Sequence, residues 1–264
     1  MAVQPEGTPC WADAMFSDVE GAKSFYGEVL GWTFAEASAE FGNYTEASAN
    51  GKAVAAVVPP MPGQEGLSQW CLYFASQDAA ATAARIRDHG GEVLMEPMRV
   101  ADFGTMCLAR DPGGVVFGVW QAGTHEGFQS MGEPGAYTWA EVFTREPEKS
   151  DAFFPAVFSY RQRDMQDGED FRIYDLGERT VLGRMKMGEE FPPEVQPYVN
   201  VYFGVEDCDE AVARATKLGG VLRFGPMTTP FGRFAAISDP QGATFSVIDT
   251  TTTEGEMPKL TDVA

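Results

Sequence analysis

The twelve residues from Ala109 to Trp120 read ARDPGGVVFGVW, and the phrase returns as ISDPQGATFSVI from Ile237 to Ile248. It closes a longer correspondence. GTPCWADAMFSDVEGAKSFYGEVLGW (7–32) lies over GAYTWAEVFTREPEKSDAFFPAVFSY (135–160) at an offset of 128, which sets Trp11 on Trp139, Asp13 on Glu141 and Phe25-Tyr26 on Phe153-Phe154. LYFASQDAAATAARIRDHGGEVL (72–94) lies over VYFGVEDCDEAVARATKLGGVLR (201–223) at 129, so Tyr73 matches Tyr202. Phe103-Gly104 then meets Phe231-Gly232 at 128 again. Blocks matched in the same order with a slip of one residue make a tandem duplication, and self-similarity of this kind constrains the architecture before any local pattern does. The expected division is a first domain over 1–122, a linker over 123–135, a second domain over 136–250 and a polar, frayed tail over 251–264. A chain of 264 residues suits two domains of about 130 residues each.

Each half has a finer rhythm. CWADAMF alternates as a strand, and DVEGAKSFYGEVLGW carries Ala22, Phe25, Tyr26, Val29 and Leu30 at helical spacing. Asp18 stands where an N-cap belongs and Gly31 where a helix stops. WTFAEA, GNYTEA and AVAAVVP read as three short strands. WCLYFAS then restarts the pattern, followed by a helix in DAAATAARIRDHGG and strands in EVL, TMCLAR and VVFGVW. Strand–helix–three strands therefore occurs twice in each half and four times in the chain, with the second-half helices expected near 147–158 and 207–218. The fold class is α+β.

Composition removes whole classes of partner. Nineteen Lys and Arg against 39 Asp and Glu give a formal charge of -20, which leaves nothing to neutralise a run of phosphates and repels anionic membrane surfaces. No apolar run reaches the roughly 18 residues of a membrane span. MAVQPEGTPCWAD lacks the basic and apolar regions of a secretion signal, and Cys10, Cys71, Cys107 and Cys208 show no CxxC spacing. Reduced thiols and a cytoplasmic location are the expectation.

SDVEGAKSFYGEVLGW, RDPGGVVFGVWQ and SDPQGATFSVI, set in a four-fold βαβββ pattern, resemble the vicinal oxygen chelate superfamily, which includes glyoxalases, bleomycin-resistance proteins and extradiol dioxygenases. Gly-Thr-Pro-x-Trp at the start resembles its tandem two-domain actinobacterial type. The resemblance runs from about Gly7 to Asp249. It implies two tandem glyoxalase-like domains, each with two βαβββ units that form a curved mixed sheet around a cup, the helices on the outside.

In metal-dependent members of that superfamily a His on the first strand, a His on the strand opening the second unit and a Glu near the last strand hold a divalent ion. Carried over residue by residue, those places fall on Trp11, Cys71 and Gly118 in the first half, and on Trp139, Asn200 and Ser246 in the second. None has the family's ligand type. The chain has two histidines: His89, at a helix C-terminus where capping is ordinary, and His125, in the linker. Neither is placed to act as a ligand in a cup. No metal and no cofactor is therefore expected.

Strand alternation puts Trp11, Asp13 and Met15 on one face and Trp139, Glu141 and Phe143 on its counterpart. Cys71, Tyr73, Val116, Gly118 and Trp120 complete the first cup; Asn200, Tyr202, Thr244, Ser246 and Ile248 complete the second. Each is an aromatic cavity with one carboxylate, suited to a flat aromatic or hydrophobic small molecule. Gly118 is expected to leave room for a ligand against the backbone. The segments 95–104 and 225–232 serve either as rims of the cups or as plain connections. Two functions follow: a metal-free binding protein for resistance, sequestration or secondary metabolism, or an enzyme of lyase, isomerase or hydroxylase type in which Asp13 or Glu141 acts as general base. A metal-dependent glyoxalase or dioxygenase would require a different alignment of the ligand places. The chain is expected to be a monomer, with the pseudo-dimer built into it, or a homodimer.

Overall fold

The computed structural model describes residues 4–60, 68–165 and 170–263. The first strand, β1 (Pro9–Met15), shows the predicted alternation: Ala12 and Ala14 enter the main core, as does Phe16 just beyond, while Trp11 joins a separate cluster on the opposite face. α1 (Val19–Leu30) starts at Asp18, whose carboxylate accepts the Gly21 amide, and ends at Gly31. It buries Ala22, Phe25, Tyr26, Val29 and Leu30, the residues that carried the helical spacing. β2 (Thr33–Phe34), β3 (Thr45–Ala49) and β4 (Lys52–Val58) complete the unit. The second unit is β5 (Trp70–Ala75), α2 (Ala79–Asp88), β6 (Glu92–Val100), β7 (Gly104–Arg110) and β8 (Val116–Ala122).

The second half repeats the order with β9 (Tyr137–Thr144), α3 (Pro147–Phe158), β10 (Arg161–Met165), β11 (Phe171–Leu176) and β12 (Arg179–Lys186). Then come β13 (Tyr198–Gly204), α4 (Cys208–Lys217), β14 (Val221–Thr229), β15 (Gly232–Ser238) and β16 (Thr244–Asp249). The tail, expected to fray, supplies β17 (Leu260–Asp262), which pairs antiparallel with β10.

Each half makes one mixed sheet. The first runs β2-β3-β4-β1-β5-β8-β7-β6 and the second β14-β15-β16-β13-β9-β12-β11-β10-β17. In both, the opening strands of the two units meet antiparallel at the centre, β1 on β5 and β9 on β13, and each is flanked by the parallel last strand of its own unit. The segments 95–104 and 225–232 are mostly strand, for β6 and β14 form one edge of each sheet.

The helices lie outside the cups, and there the two halves share them. α1 packs on α4 and α2 on α3. Phe25 and Tyr26 of α1 touch Phe245 on β16, while Phe154 and Phe158 of α3 touch Phe74 on β5 and Phe117 on β8. The helix of one half thus covers the convex face of the other half's sheet, and one continuous core runs through both. The repeated Asp-Pro-x-Gly turn belongs to this seam. Asp111 accepts the Val115 amide of its own turn and the Ser150 hydroxyl of α3; Asp239 accepts the Ala243 amide and the Tyr26 hydroxyl of α1.

Candidate functional site

The concave face of each sheet gathers the side chains that alternation selects. In the first cup Trp11 stands opposite Tyr73 and Asp13 opposite Cys71 across β1 and β5, and Tyr73 lies beside Gly118 across β5 and β8. Trp11, Tyr73, Cys71 and Trp120 pack in one cluster with Tyr44, Met106, Leu108 and Phe128, apart from the main core. Asp13 is 9% exposed and lies near the Tyr73 hydroxyl. Burial pushes its carboxyl up to about 7, against the lowering effect of that hydroxyl. The same burial raises the Cys71 thiol well above its ordinary range, with the charge of Asp13 adding to the effect. Met15, at the end of β1, is half-buried.

The second cup repeats the plan with more polar groups. Trp139 faces Tyr202 and Glu141 faces Asn200 across β9 and β13, and Tyr202 lies beside Ser246 across β13 and β16. Glutamate is one methylene longer than aspartate and reaches two donors: Trp139 Nε1 donates to Oε1 at 3.0 Å and the Tyr202 hydroxyl to Oε2 at 3.0 Å. Burial raises Glu141 to about 7 despite both bonds. Asn200 Nδ2 donates to Ser246 Oγ at 2.8 Å. Phe143 stacks on Tyr198 at 5.0 Å and meets Phe191 edge-on. Thr244 sits at the head of β16 with its hydroxyl bonded to Ser238, away from the carboxylate.

One expectation changes, and the first cup gains two residues. Gly118 does not leave open space: a Cβ there would lie 2.1 Å from Tyr73 Cδ1, so the Tyr73 ring occupies the gap against the backbone. His125 does reach the first cup. Its ring packs edge-on to Trp11 at 4.5 Å and to Trp120 at 5.8 Å, with Nε2 3.8 Å from Glu46 Oε2. The linker carrying it is bonded into the wall, with Phe128 donating to Cys10 O and His125 to Phe103 O. Gly127 permits this: at φ +101° it passes so close to β1 that a Cβ would sit 2.3 Å from Cys10 O. Tyr44 packs in the first cup as well. Tyr44, just before β3, accepts Trp11 Nε1 at 2.6 Å, and Phe41 meets Phe103 at 5.3 Å. Alternation about β3 was the available signal for Tyr44 and Glu46. Nothing local marks His125.

A groove of about 470 Å³ lies elsewhere, lined by residues of α3 and of the β10–β12 face, among them Asp151, Arg172 and Arg184. Its arginines are already engaged: Arg184 binds Asp151 and Asp170, and Arg172 binds Asp164 and Asp151. This groove therefore carries a structural ion-pair network.

At the places where a divalent ion would be held stand an indole, a buried thiol and a glycine in the first cup, and an indole, an amide and a hydroxyl in the second. Trp11 and Trp139 present N–H donors, and both are donating. Among the described residues no group of three His, Cys, Asp or Glu is arranged to hold a metal ion, and no helix is long and apolar enough to cross a membrane.

Residues 11–119 match the family model described as Glyoxalase/Bleomycin resistance protein/Dioxygenase superfamily. The chain is 37% identical over 250 residues to CFP32 of Mycobacterium tuberculosis, whose name carries the word glyoxylase, covering 92% of this chain and 95% of that one. It is 37% identical over 258 residues to the anthracycline biosynthesis protein DnrV of Streptomyces peucetius, covering 92% and 93%. In fold it is similar to the Mn(II)-bound glyoxalase of Novosphingobium aromaticivorans, with a TM-score of 0.64 at 16% identity over 96% of this chain and 87% of that one. It is also similar to the 2,3-dioxygenase LapB of Pseudomonas sp. KL28, with a TM-score of 0.67 at 12% identity over 98% and 95%.

Proposed function

This chain belongs to the glyoxalase/bleomycin resistance protein/dioxygenase superfamily, and within it we propose that the two cups bind a flat aromatic or hydrophobic small molecule without a metal ion. The observation that carries this reading is the duplicated lining. At matching places both cups hold a tryptophan, a tyrosine and one carboxylate, which in the second cup accepts from both rings. Flat apolar walls around a single polar anchor suit a planar ligand with one polar group.

The donor set argues against a cation. An indole N–H has no lone pair to offer, the Cys71 thiol stays protonated, and Gly118 brings no side chain. The relative DnrV is named for anthracycline biosynthesis, and anthracyclines are fused-ring aromatics of the class such walls accommodate. Purified protein screened by thermal shift against naphthols, hydroxyquinones and fused-ring natural products should gain melting temperature with some of them. Silence across the set would count against ligand binding.

One observation favours a second reading, catalysis. Asp13 and Glu141 each stand near 7, so at neutral pH each divides between an acid and a base form inside an aromatic site. A carboxyl so placed transfers protons in either direction, as an isomerisation or cyclisation of a bound ligand requires. Turnover lost in D13N or E141Q, with binding retained, would support that role.

A further inference from the structure

Three buried side-chain polar atoms among the described residues have no hydrogen-bond partner: Thr8 Oγ1, His125 Nδ1 and Asn200 Oδ1. Thr8 precedes β1 and His125 packs edge-on to Trp11 in the first cup, whereas Asn200 stands in the wall of the second cup, 2% exposed and directly opposite Glu141. An orphaned acceptor at that depth is a cost that native proteins seldom carry without a use.

The bonds around it run in one direction. Asn200 Nδ2 donates to Ser246 Oγ, Ser246 lies beside Tyr202 across β13 and β16, Tyr202 donates to Glu141 Oε2, and Trp139 donates to Glu141 Oε1. The one atom of this series left without any partner is the amide oxygen at its head. Reversing the amide would only exchange an unpaired acceptor for unpaired donors. The first cup contains no such arrangement, because Cys71 and Gly118 occupy the matching places. A residue kept only for packing would not need an amide there, as the first copy demonstrates.

We propose that Asn200 Oδ1 is the acceptor for a hydroxyl or N–H donor carried by the aromatic ligand, which makes the second cup selective for ligands bearing that group. The inference rests on the aromatic-binding reading above and adds the ligand's polar group and the residue that selects it. Because Asn200 and Glu141 face each other, a donor seated on Asn200 lies alongside the titrating carboxyl. Ligands that differ only by methylation of that donor should therefore be separated by this one position.

The test compares 2-naphthol with 2-methoxynaphthalene, which share the ring system but not the donor, by calorimetric titration of the intact protein and of Asn200→Leu. The wild type should prefer 2-naphthol by about tenfold, the scale of one buried hydrogen bond. Asn200→Leu should bind both probes equally, and its melting temperature should stay level or rise by about 2–4 °C, since the unpaired amide is gone. Should Asn200→Leu fail to fold, Asn200→Cys, which installs the residue of the first copy, provides the same comparison. A preference that survives either substitution overturns the assignment of Asn200 while leaving aromatic binding intact. If neither probe binds the wild type, the aromatic reading and this inference fall together.

Discussion

The hydroxyl of Tyr26, on the first helix, donates to Asp239 Oδ2 at 2.8 Å, joining residues 213 positions apart across the seam between the two halves. The same hydroxyl accepts Trp70 Nε1 at 3.0 Å, and Asp239 also holds the amides of its own turn. Ser150 makes the matching contact with Asp111 on the other side. The Asp-Pro-x-Gly turn is written twice because each copy shapes its own turn and receives the helix of the opposite half.

Replacing Tyr26 with Phe should therefore destabilise the whole chain rather than one half. It strands a buried carboxylate oxygen and a buried indole N–H, at a cost of about 1–3 kcal/mol for each unsatisfied group. Urea denaturation followed by fluorescence should give one transition moved to lower midpoint. A separate early transition of one half would contradict the shared core.

The carboxyls of the cups make a signed pH prediction. Asp13 and Glu141 stand near 7 in the folded protein, above the usual carboxylate value of the unfolded chain, because burial penalises the charge. Between about pH 4 and 7 the native state holds protons that the unfolded state has released, so this contribution to stability falls as pH rises and levels off above 7. The double variant D13N/E141Q should show a flatter profile of stability over that window than the wild type. Equal slopes for the two proteins would contradict the raised carboxyls.

His125 titrates with the opposite sign. Burial lowers its imidazole below the ordinary value of about 6.5, so its contribution is lost as pH falls through that region, where the unfolded chain takes up a proton that the folded one does not. With two histidines in the chain, the ring signals in a proton–carbon NMR titration are assigned by an H89Q variant. The His125 signal should move at lower pH than that of a free imidazole and should respond to aromatic ligands. A signal indifferent to them would place His125 outside the working surface of the cup.

Gly118 and Ser246 hold equivalent places beside Tyr73 and Tyr202. Gly118→Ser should drive the Tyr73 ring off the backbone and away from Asp13, at about 1–3 kcal/mol for the overpacking. Thermal unfolding and the Asp13 titration should both shift. An unchanged protein would mean that the ring has room that the packing denies it.

The architecture was legible because it was written four times: helical spacing marked the residues α1 buries, and alternation marked which side chains face a cup. The cup contents were harder to read wherever chemistry depended on long-range closure. Nothing local to His125 shows that Phe103 and Cys10 anchor the linker beside Trp11, and Gly118 looked like vacant space until Tyr73 was seen to fill it. Likewise, Glu141 and Asp13 look alike in an alignment, yet one extra methylene lets the glutamate bind both Trp139 and Tyr202. Pairing distances of this kind are properties of the closed sheet, not of either strand.

The central claim, an aromatic site that needs no cation, is tested most directly by titrating 2-naphthol into the protein before and after exhaustive dialysis against a chelator. Saturable binding with the same affinity in both states is the predicted result. Binding that disappears on chelation and returns with added manganese or zinc would contradict it.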